Sequence, residues 1–563
     1  MSVEEKKEQL ASLIGQAIER TASARGVTLP EGFSVLLERP RREGQGDWAT
    51  NAAMKLSKVF GMPPVDLARE IAGNFERGKR ISSVEVAPPG FMNFTLSDDW
   101  LAEVIEEILR AGDDYGRNDH GGGKRVQIEF VSANPTGPIH LGHGRGAAVG
   151  DIVSSVLSFS GWEVEREYYI NDAGLQMEML GKSTQSRYFA LLGREEEAPF
   201  PEDGYPGDYI DEIAKEILAE HGKVLADRPL DETLSLFRER TCRDVLAMIR
   251  RDLEDFGVRF DVWFSEKSLY EGDIVPRTID RLRARGYAYD GEGAVWFKAT
   301  EFGDDKDRVM IRNNGVPTYF TSDVAYLQNK YERKFDFLVY VWGADHHGYV
   351  PRMRAANTAL GAEDDRLEFL LIQFVSLLRN GVPVSMSKRA GTFVTLREVM
   401  DEVGRDATRF FFVSRKNDSH LDFDLELAKK TSADNPVYYV QYAHARICSI
   451  LREAASRGIA LPDPSAACRL CTENLGKPSE SRLVKELSRF PGEVLKAAEN
   501  LEAHRIAFYA TALAEAFHAF YNSEKVLGEE DGVMRARLLL VEATRIVVAN
   551  CLRLLGISAP ERM

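Results

Sequence analysis

The stretch "ANPTGPIHLGHGRGA", residues 133–147, is the strongest indication of the fold. It follows the alternating apolar run "RVQIEFV", and beyond it apolar residues recur at helical spacing: Val149, Ile152, Val153, Val156 and Leu157. A strand, a turn rich in glycine and proline, and then a helix predict the start of a βαβ unit. The turn itself has three interpretations, namely a metal-binding histidine pair, a nucleotide-binding loop, or a plain helix-capping turn.

The turn combines backbone and side-chain groups that suit a phosphate. Unpaired N–H groups at a helix amino terminus attract anions, and Gly142, Gly144 and Gly146 would admit a ligand close to the backbone. His140 and His143 can donate hydrogen bonds to phosphate oxygens as charge builds up on phosphorus. A metal site would need a third ligand, which the neighbouring sequence does not supply. On this stretch alone, the capping turn and the nucleotide loop remain equally good interpretations.

A second stretch, "GVPVSMSKRAGTFVTLREVM" at residues 381–400, places Lys388 and Arg389 in a loop of small residues. After this loop, Thr395 and Glu398 have the spacing of a helix-capping box. A lysine on such a loop can neutralise charge on the β- and γ-phosphates of a nucleotide as pyrophosphate leaves. Taken alone, Lys388 is more typical of a solvated basic loop.

The composition predicts a protein of two to four domains without a membrane segment. At 563 residues the chain exceeds the size of a single core, and its 44% apolar residues suffice for several cores. It has no run of about 18 apolar residues, and it opens with a charged amphipathic helix rather than a signal peptide, so we expect a cytoplasmic location. The five cysteines include one isolated pair, Cys468 and Cys471, which predicts neither a disulfide framework nor a zinc site.

The net charge of −16 at first disfavours a polyanionic partner. The charge is unevenly distributed, because Thr431–Met563 has 16 basic and 16 acidic residues and is neutral. A neutral segment can display a basic face, and nucleic-acid binding depends on such local surfaces more than on total charge. The composition is therefore compatible with binding to RNA.

Periodicity divides the chain into three regions. Residues 1–115 mix helical periodicity with short strands, which predicts an α+β domain that ends in a polar linker. The alternation of strand and helix patterns over residues 120–405 predicts an α/β domain with a Rossmann-type parallel sheet, interrupted by a charged helical insertion at about 180–290. Helical patterns dominate residues 406–563 and predict an all-α helical bundle. After the insertion, the sheet is expected to resume with "AVWFK", "RVMIR", "PTYFT", "FDFLVYVWG" and "FLLIQFV".

The two motif-bearing stretches together resemble the paired signatures of the class I aminoacyl-tRNA synthetases, His-Ile-Gly-His and Lys-Met-Ser-Lys-Ser. The corresponding segments are "HLGH" at 140–143 and "SMSKR" at 385–389. Where the family has its first loop lysine, this chain has Ser385, so less neutralisation of pyrophosphate by the loop is expected. Other segments resemble the arginyl-tRNA synthetases in particular: "EFVSANPTGPIHLGHGRGA", "YYINDAG", "DGYPGDYI", "YFTSDVAY", "GRDATRFFF", "YYVQYAHARI", "GISAPERM" and, in an additional amino-terminal domain, "GDWATNAAMKLSK" and "VEVAPPGFMNF".

This resemblance implies the ligation of L-arginine to tRNA(Arg), with ATP and Mg²⁺ as substrate and no tightly bound cofactor or metal. Arginine would attack the α-phosphate of ATP, and the terminal adenosine of the tRNA would then take the arginyl group from the adenylate. The implied catalytic residues are His140, His143 and Lys388, as hydrogen-bond donors to phosphate. The implied ATP-binding residues are His140, Gly142, His143, Gly144, Ser387, Lys388 and Arg389.

The resemblance also implies a pocket for the planar guanidinium, which carboxylates in bidentate geometry bind best. Asp323 is expected to pair with the guanidinium, assisted by Tyr319 and Glu266. Without the resemblance, Asp323 is equally well interpreted as an acid in the first turn of a helix, stabilised by the helix dipole. At the backbone end of the amino acid, the implied residues are Glu129, Ser132 and Asn134.

The segment "GADHHG", with Asp345, His346 and His347, follows a strand-like run and is expected to line the same cleft. A neighbouring pair of histidines is more often structural than functional, which is the alternative interpretation.

Aromatic and basic residues at the start of the predicted bundle are expected to contact the anticodon stem and loop of tRNA(Arg). The alternative is that Tyr438 and Tyr442, four residues apart, are core residues. The residues with the predicted tRNA contact are Tyr439, Gln441, Tyr442 and His444.

Two other functions remain open at this point. A different class I enzyme, such as a cysteinyl-tRNA synthetase, would need zinc-binding cysteines in the catalytic region, where Cys242 stands alone. A catalytically silent tRNA-binding relative would not need His140, His143 and Lys388, all of which are present. We expect a monomer that binds L-arginine, ATP and tRNA(Arg) and does not bind membranes.

Overall fold

The structure is a computed structural model that describes residues 3–40, 45–78, 80–172, 174–384 and 394–563. Its amino-terminal elements are α1 (Val3–Arg25), β1 (Trp48–Thr50), α2 (Ala52–Phe60), α3 (Pro64–Gly73), β2 (Ile81–Ala87), β3 (Phe91–Leu96) and α4 (Asp98–Ala111). The strands form an antiparallel sheet of order β1-β3-β2. The α+β character predicted for this region is confirmed.

The central region contains the parallel sheet. Its elements are β4 (Arg125–Glu129), α5 (Leu141–Phe159), β5 (Glu163–Ile170), α6 (Leu175–Leu191), α7 (Asp208–His221), α8 (Leu230–Asp255), β6 (Val262–Ser265), α9 (Lys267–Glu271), α10 (Ile274–Ala284), β7 (Ala288–Gly291), β8 (Ala294–Phe297), β9 (Arg308–Ile311), α11 (Tyr319–Glu332), β10 (Phe337–Gly343), α12 (Val350–Leu360), β11 (Leu367–Ile372), β12 (Val375–Arg379), β13 (Val382–Pro383), α13 (Leu396–Val403), α14 (Arg405–Phe412), β14 (Leu421–Asp424) and α15 (Leu425–Lys429).

Five strands form one parallel sheet of order β11-β10-β4-β5-β6. The chain runs from β4 outward to β5 and β6, and then returns to add β10 and β11 on the other side. β4 and β10 therefore meet at a topological switch point, where α/β sheets bind ligands beyond the carboxyl ends of the strands. The predicted βαβ unit is confirmed as β4, α5 and β5.

Three predictions within this region need correction. The helical insertion predicted at about 180–290 is shorter, because Val262–Ser265 forms β6 of the parallel sheet. The segments "AVWFK" and "RVMIR" form β8 and β9, but these belong to a separate antiparallel sheet of order β7-β8-β9. The strand predicted at "PTYFT" is wrong, because Thr318 is the extended N-cap of α11 and Tyr319 begins that helix. A short aromatic and β-branched run has strand propensity, but tertiary packing overrides such a local preference.

The all-α structure predicted from residue 406 is wrong for its first part, because Leu421–Asp424 forms β14 and pairs parallel with β12. The rest of the carboxyl-terminal region is a helical bundle. It consists of α16 (Pro436–Ser456), α17 (Ala467–Asn474), α18 (Pro478–Leu487), α19 (Phe490–Glu499), α20 (His504–Ser523) and α21 (Asp531–Leu554). The fully buried Arg409 of α14 joins the segment after α21 to α5 and to the end of α8. Its guanidinium donates to the Leu555 carbonyl at 2.9 Å, to Asp151 Oδ2 of α5 at 2.6 Å, and to the Phe256 carbonyl at 3.1 Å.

No helix among the described residues is long and apolar enough to cross a bilayer. Within the same ranges, no group of three or more His, Cys, Asp or Glu side chains is arranged to hold a metal ion. Cys468 and Cys471 lie on α17 and are not joined by a disulfide.

Candidate active site

The amino terminus of α5 lies at the switch point and bears the histidine pair. His140 caps the helix, because its Nδ1 accepts a hydrogen bond from the backbone N–H of Gly142 at 3.1 Å. The ring of His143 stacks on that of His140, with centroids 3.7 Å apart and planes 21° from parallel. Since Nδ1 of His140 accepts this hydrogen bond, Nε2 is the nitrogen from which a neutral ring can donate. The capping role and a phosphate-binding role are therefore compatible.

The two signature stretches meet in space. The backbone N–H of Leu396 donates to the carbonyl of Ile139 at 2.9 Å, and that of Leu141 donates to the carbonyl of Val394 at 3.3 Å. The segment that follows the second signature thus pairs antiparallel with the start of the first. The signature residues themselves, Ser385, Ser387, Lys388 and Arg389, lie outside the described residues.

The predicted capping box after this loop is confirmed. The backbone N–H of Glu398 donates to Thr395 Oγ1 at 3.1 Å, and the backbone N–H of Thr395 donates to Glu398 Oε2 at 2.7 Å. This reciprocal pair fixes where α13 begins, next to His140.

The two glycines assigned to ATP binding occupy different surroundings. Gly142 is exposed, and among the described atoms a Cβ there would approach only the ring of His140 within 4 Å. Gly144 is buried, and a Cβ there would come within 2.8 Å of Leu396 and 3.0 Å of Phe412. Gly144 therefore allows α5 to pack closely on α13 and α14, whereas Gly142 leaves the backbone at the helix start accessible.

The turn between β4 and α5 begins with strained backbone. Val131 and Ser132 have φ angles of 68° and 39°, which β-branched and most other residues rarely adopt. Ser132 Oγ donates to Glu129 Oε1 at 3.2 Å and accepts from the backbone N–H of Tyr169 at 3.1 Å. Such strain persists only where surrounding contacts determine the conformation, and it is concentrated at functional sites.

Glu129 ends β4 and is buried beside a fully buried lysine. Lys330 Nζ donates to Glu129 Oε2 at 2.7 Å. The ammonium also lies 4.2 Å from the ring centroid of Tyr326 and 3.7 Å from that of Tyr340. With Ser132 on one oxygen and Lys330 on the other, both oxygens of the Glu129 carboxylate have protein donors.

Asp323 lies one turn after Tyr319 on the same face of α11. The hydroxyl of Tyr349 donates a hydrogen bond to Asp323 Oδ2. Burial raises the pKa of Asp323 to about 7, against the effect of this hydrogen bond. The negative charges of Glu129 and Glu266 add to the rise. A cationic ligand would favour the ionised form, so this carboxyl group is suited to bind one.

Glu266 approaches the same pocket from the start of α9. The hydroxyl of Tyr270 donates to Glu266 Oε1 at 3.2 Å and also bonds the hydroxyl of Ser322, the neighbour of Asp323. Burial raises the pKa of Glu266, and the hydrogen bonds from Tyr270 and Ser322 oppose that rise. Two of the predicted arginine-binding carboxylates are thus brought together from α9 and α11.

Two other predicted arginine-binding residues lie nearer the surface. Tyr319 is 66% exposed, and its hydroxyl lies 3.8 Å from the place a Cβ would take on Gly174. Asn134 Nδ2 donates to Gln176 Oε1 on α6 at 2.7 Å. Both side chains therefore lie beside the start of α6.

The segment after β10 forms a short 3-10 helix, Ala344–Tyr349. Asp345, His346 and His347 are exposed there, and His346 Nε2 lies 3.8 Å from Asp345 Oδ2. The residue of this segment that bonds the aspartate of α11 is Tyr349, which sequence reasoning missed.

Sequence reasoning also missed a second layer of charged residues beneath the pocket. Arg333 donates to both oxygens of the buried Glu167 in β5, and the Tyr326 hydroxyl bonds the same carboxylate. Helical spacing could have identified this face of α11, but a strand was predicted at "PTYFT" instead. The residues of the face, at spacings i, i+4, i+7 and i+11, are Tyr319, Asp323, Tyr326 and Lys330.

The four residues predicted to contact tRNA lie on α16, and two of them connect the bundle to the chain end. Gln441 Nε2 donates to Asp406 Oδ2 at 2.9 Å and to the carbonyl of Ser558 at 3.0 Å. His444 is buried, with Nδ1 at 2.9 Å from the carbonyl oxygen of Pro560. Both side chains attach α16 to the carboxyl-terminal segment.

Tyr442 lines an open cleft of about 800 Å³ in the bundle. Its ring stacks on that of Tyr438 at 5.8 Å, and both are only partly buried, whereas Tyr439 packs against the core. The guanidinium of Arg446 donates to the Tyr442 hydroxyl at 2.7 Å and lies 4.7 Å and 4.4 Å from the rings of Tyr442 and Tyr521. Further basic residues in the cleft are Arg452, Lys525 and Arg562.

Three known families match the chain in succession. The family described as "Arginyl tRNA synthetase N terminal domain" matches residues 8–96. The family "tRNA synthetases class I (R), catalytic domain" matches residues 104–448, more than half of the chain. The family "DALR anticodon binding domain" matches residues 440–563.

Individual relatives match over the full length. The arginine–tRNA ligase of Syntrophotalea carbinolica is 50% identical over 561 residues, which cover 99% of this chain and 100% of the relative. That of Moorella thermoacetica is 48% identical over 566 residues and covers 100% of both chains. The solved structure of Thermus thermophilus arginyl-tRNA synthetase matches with a TM-score of 0.75, covering 99% of this chain and 100% of that chain at 23% identity, which shows a common fold.

Proposed function

The chain belongs to the arginyl-tRNA synthetase family, and from this premise we propose how its residues carry out the ligation of L-arginine to tRNA(Arg). ATP is the second substrate, as in other class I synthetases. The carboxylate of arginine attacks the α-phosphate of ATP, and pyrophosphate leaves as arginyl-adenylate forms. A hydroxyl of the terminal adenosine of tRNA then attacks the adenylate carbonyl, and AMP leaves.

In this proposal His140 and His143 bind the phosphates of ATP at the amino terminus of α5. Helix-terminal N–H groups and imidazole donors stabilise the extra negative charge of the pentavalent phosphorus. Mg²⁺ enters with ATP as part of the substrate. The support is the stacked geometry of the two rings and the exposed backbone at Gly142, beside the segment that follows the second signature.

The observation that best supports arginine as the amino acid is the carboxylate pair Asp323 and Glu266, which reaches one pocket from two helices. Planar guanidinium groups are bound well by such carboxylates. Charging of total tRNA with each amino acid in turn tests the assignment, and arginine alone is expected to be attached. Attachment of another amino acid would assign a different specificity, and no attachment at all would leave a tRNA-binding relative.

The first prediction is that arginine binds more weakly as the pH falls through neutrality. The pKa of Asp323 is about 7 in the ligand-free protein, and bound guanidinium should lower it because it favours the carboxylate. Above that pKa, Asp323 is already ionised and KM for arginine should be constant. Below it, a proton must leave for arginine to bind, so KM should rise by up to about tenfold per pH unit. Steady-state aminoacylation at several pH values measures this, and an arginine KM that is flat across neutrality would contradict it.

The second prediction concerns the cleft on α16, which we propose binds an unpaired base of the tRNA anticodon loop. Stacking of a base on an aromatic side chain contributes about 1–3 kcal/mol, so Tyr442→Ala should raise KM for tRNA by about tenfold. Tyr442→Phe keeps the ring and is the matched control, expected to stay within about twofold. Arginine and ATP KM values should not change. Equal tRNA KM values for Tyr442→Ala and the unaltered protein would exclude this surface.

We further propose that the protein acts as a monomer in the cytoplasm. Sedimentation with and without tRNA tests the first part, and a dimer under assay conditions would refute it.

A further inference from the structure

Lys330 is a fully buried lysine that the assigned chemistry does not use. It lies on α11 and contacts two strands of the sheet, because its Nζ bonds Glu129 of β4 and lies against the ring of Tyr340 of β10. Glu167 of β5 is an electrostatic neighbour. Burial lowers the pKa of Lys330, and the charge of Glu129 opposes that effect. The bonded carboxylate and the two aromatic faces therefore stabilise an ammonium ion here.

The pair is poorly explained by stability alone. Both side chains are withdrawn from water, and the desolvation of two ions commonly offsets their attraction. Well-packed apolar residues of similar volume often stabilise a fold as well or better. A buried ion pair is better explained by a requirement for charge at a defined position. This pair lies beside the proposed arginine pocket.

The geometry connects this pair with Asp323. Lys330 follows Asp323 by seven residues, two turns along the same face of α11. Glu129 is an electrostatic neighbour of Asp323 as well, and at Asp323 the effects of the two charges have opposite sign: Glu129 raises its pKa, and Lys330 lowers it. The charge of one member is thus offset by the other as seen from the pocket.

We propose that Lys330 is a positioning residue for arginine recognition, which fixes the Glu129 carboxylate beside the pocket and offsets part of its charge. Asp323 then responds to the guanidinium of the substrate rather than to its buried neighbour. The proposal rests on the assignment of this pocket to arginine. It explains why both oxygens of Glu129 have protein donors, because a carboxylate held this way keeps one orientation.

The ionisation of Asp323 is the readout, and several groups face it. They are Glu129 from β4, Tyr169 from β5, Glu266 and Tyr270 from α9, Lys330 from α11, Tyr340 from β10 and Tyr349 from the segment after β10. Among these, only Glu129 and Lys330 are changed in the experiment below, so the other contributions stay constant.

A cycle of three variants of the full-length protein tests the proposal. The measurement is the pH midpoint of kcat/KM for arginine in aminoacylation at saturating ATP and tRNA. Lys330→Met leaves Glu129 unbalanced and should move the midpoint upward by about one pH unit. Glu129→Gln leaves Lys330 unbalanced and should move it downward. The double variant removes both charges and should return the midpoint close to that of the unaltered protein.

The cycle separates positioning from mere support of the fold. A structural role alone would lower kcat and the melting temperature and leave the midpoint in place, and that result would overturn the proposal. Shifts of the midpoint in the same direction in both single variants would also overturn it. A double variant whose midpoint does not return towards that of the unaltered protein would do the same. If Lys330→Met does not fold, the Glu129→Gln shift and its reversal in the double variant remain decisive, because the double variant leaves neither member of the buried pair uncompensated.

The matched control is Lys306→Met, which removes an exposed lysine from the same domain and should leave the midpoint unchanged. Failure of the proposed function would look different from failure of this inference. In the former case the unaltered protein would not charge tRNA with arginine at all. In the latter case it would charge tRNA with arginine, and the pH midpoint would be the same in Lys330→Met as in the unaltered protein.

Discussion

Asparagine in place of Asp323 is expected to lower kcat/KM for arginine by hundreds to thousands of fold. Removing one partner of a buried ion pair costs on the order of 3–5 kcal/mol, because the other charge is left without compensation. Here the remaining charge is the substrate guanidinium, and the carboxyl group that would meet it is already buried and bonded to Tyr349. Asparagine has nearly the same shape, so the effect should report charge rather than packing.

Citrulline makes this prediction specific. It replaces the guanidinium with a neutral urea of similar shape, so a pocket that discriminates by charge should reject it strongly. At a pH above the pKa of Asp323, its carboxylate would meet the urea oxygen, whereas the amide of Asp323→Asn can donate to that oxygen. The two amino acids are therefore compared at a pH well above about 7. The preference for arginine over citrulline should therefore fall sharply towards one in the variant, measured as aminoacylation with each amino acid.

The matched control for this substitution is Asp365→Asn, which changes an exposed aspartate of the same domain and should keep both activities. KM values for ATP and tRNA should be unaltered in Asp323→Asn, because the change is confined to the amino-acid pocket. If Asp323→Asn lowers both activities equally and keeps the ratio, Asp323 does not contact the guanidinium, and Glu266 becomes the specificity residue.

Alanine in place of His143 is expected to lower kcat by about a hundredfold or more with little change in KM for arginine. A donor that acts on charge present only in the transition state contributes to kcat rather than to substrate binding. The substitution also removes the ring that stacks on His140, so the capping imidazole loses a packing contact.

Two further variants separate these effects. His143→Asn keeps a hydrogen-bond donor without the ring and should retain more activity than His143→Ala. His120→Ala removes an exposed histidine from the segment before β4 and should have no effect. A loss confined to the KM for ATP in His143→Ala would instead assign His143 to ground-state binding.

Local features of the site were predictable because they depend on neighbours in the chain. The alternating run before the glycine turn and the helical spacing after it correctly predicted β4 and α5, and the turn chemistry placed His140 at the helix start. The Thr395–Glu398 spacing correctly predicted where α13 begins. Each of these features depends on interactions over a few residues, so the local sequence is sufficient to predict it.

The start of α11 was not predictable from the same kind of signal. "PTYFT" has strand propensity, but the residues that follow pack their helical face against the sheet, and this long-range burial outweighs a preference of a few tenths of a kilocalorie per residue, roughly. Because the helix was not predicted from its start, Lys330 on the same helical face as Asp323 was missed.

By itself, the sequence determined the three-region organisation, the two signature stretches and the family, because these are properties of local pattern and of residue identity. Only the tertiary structure decided which charges meet. Glu129 and Lys330 are 201 residues apart in the chain, and their contact depends on the placement of α11 over the sheet. Likewise, Tyr349 reaches Asp323 because β10 returns beside β4, and His444 is buried because the chain end folds back on α16. Electrostatic pairing and burial depend on distance in space, and no local pattern records that distance.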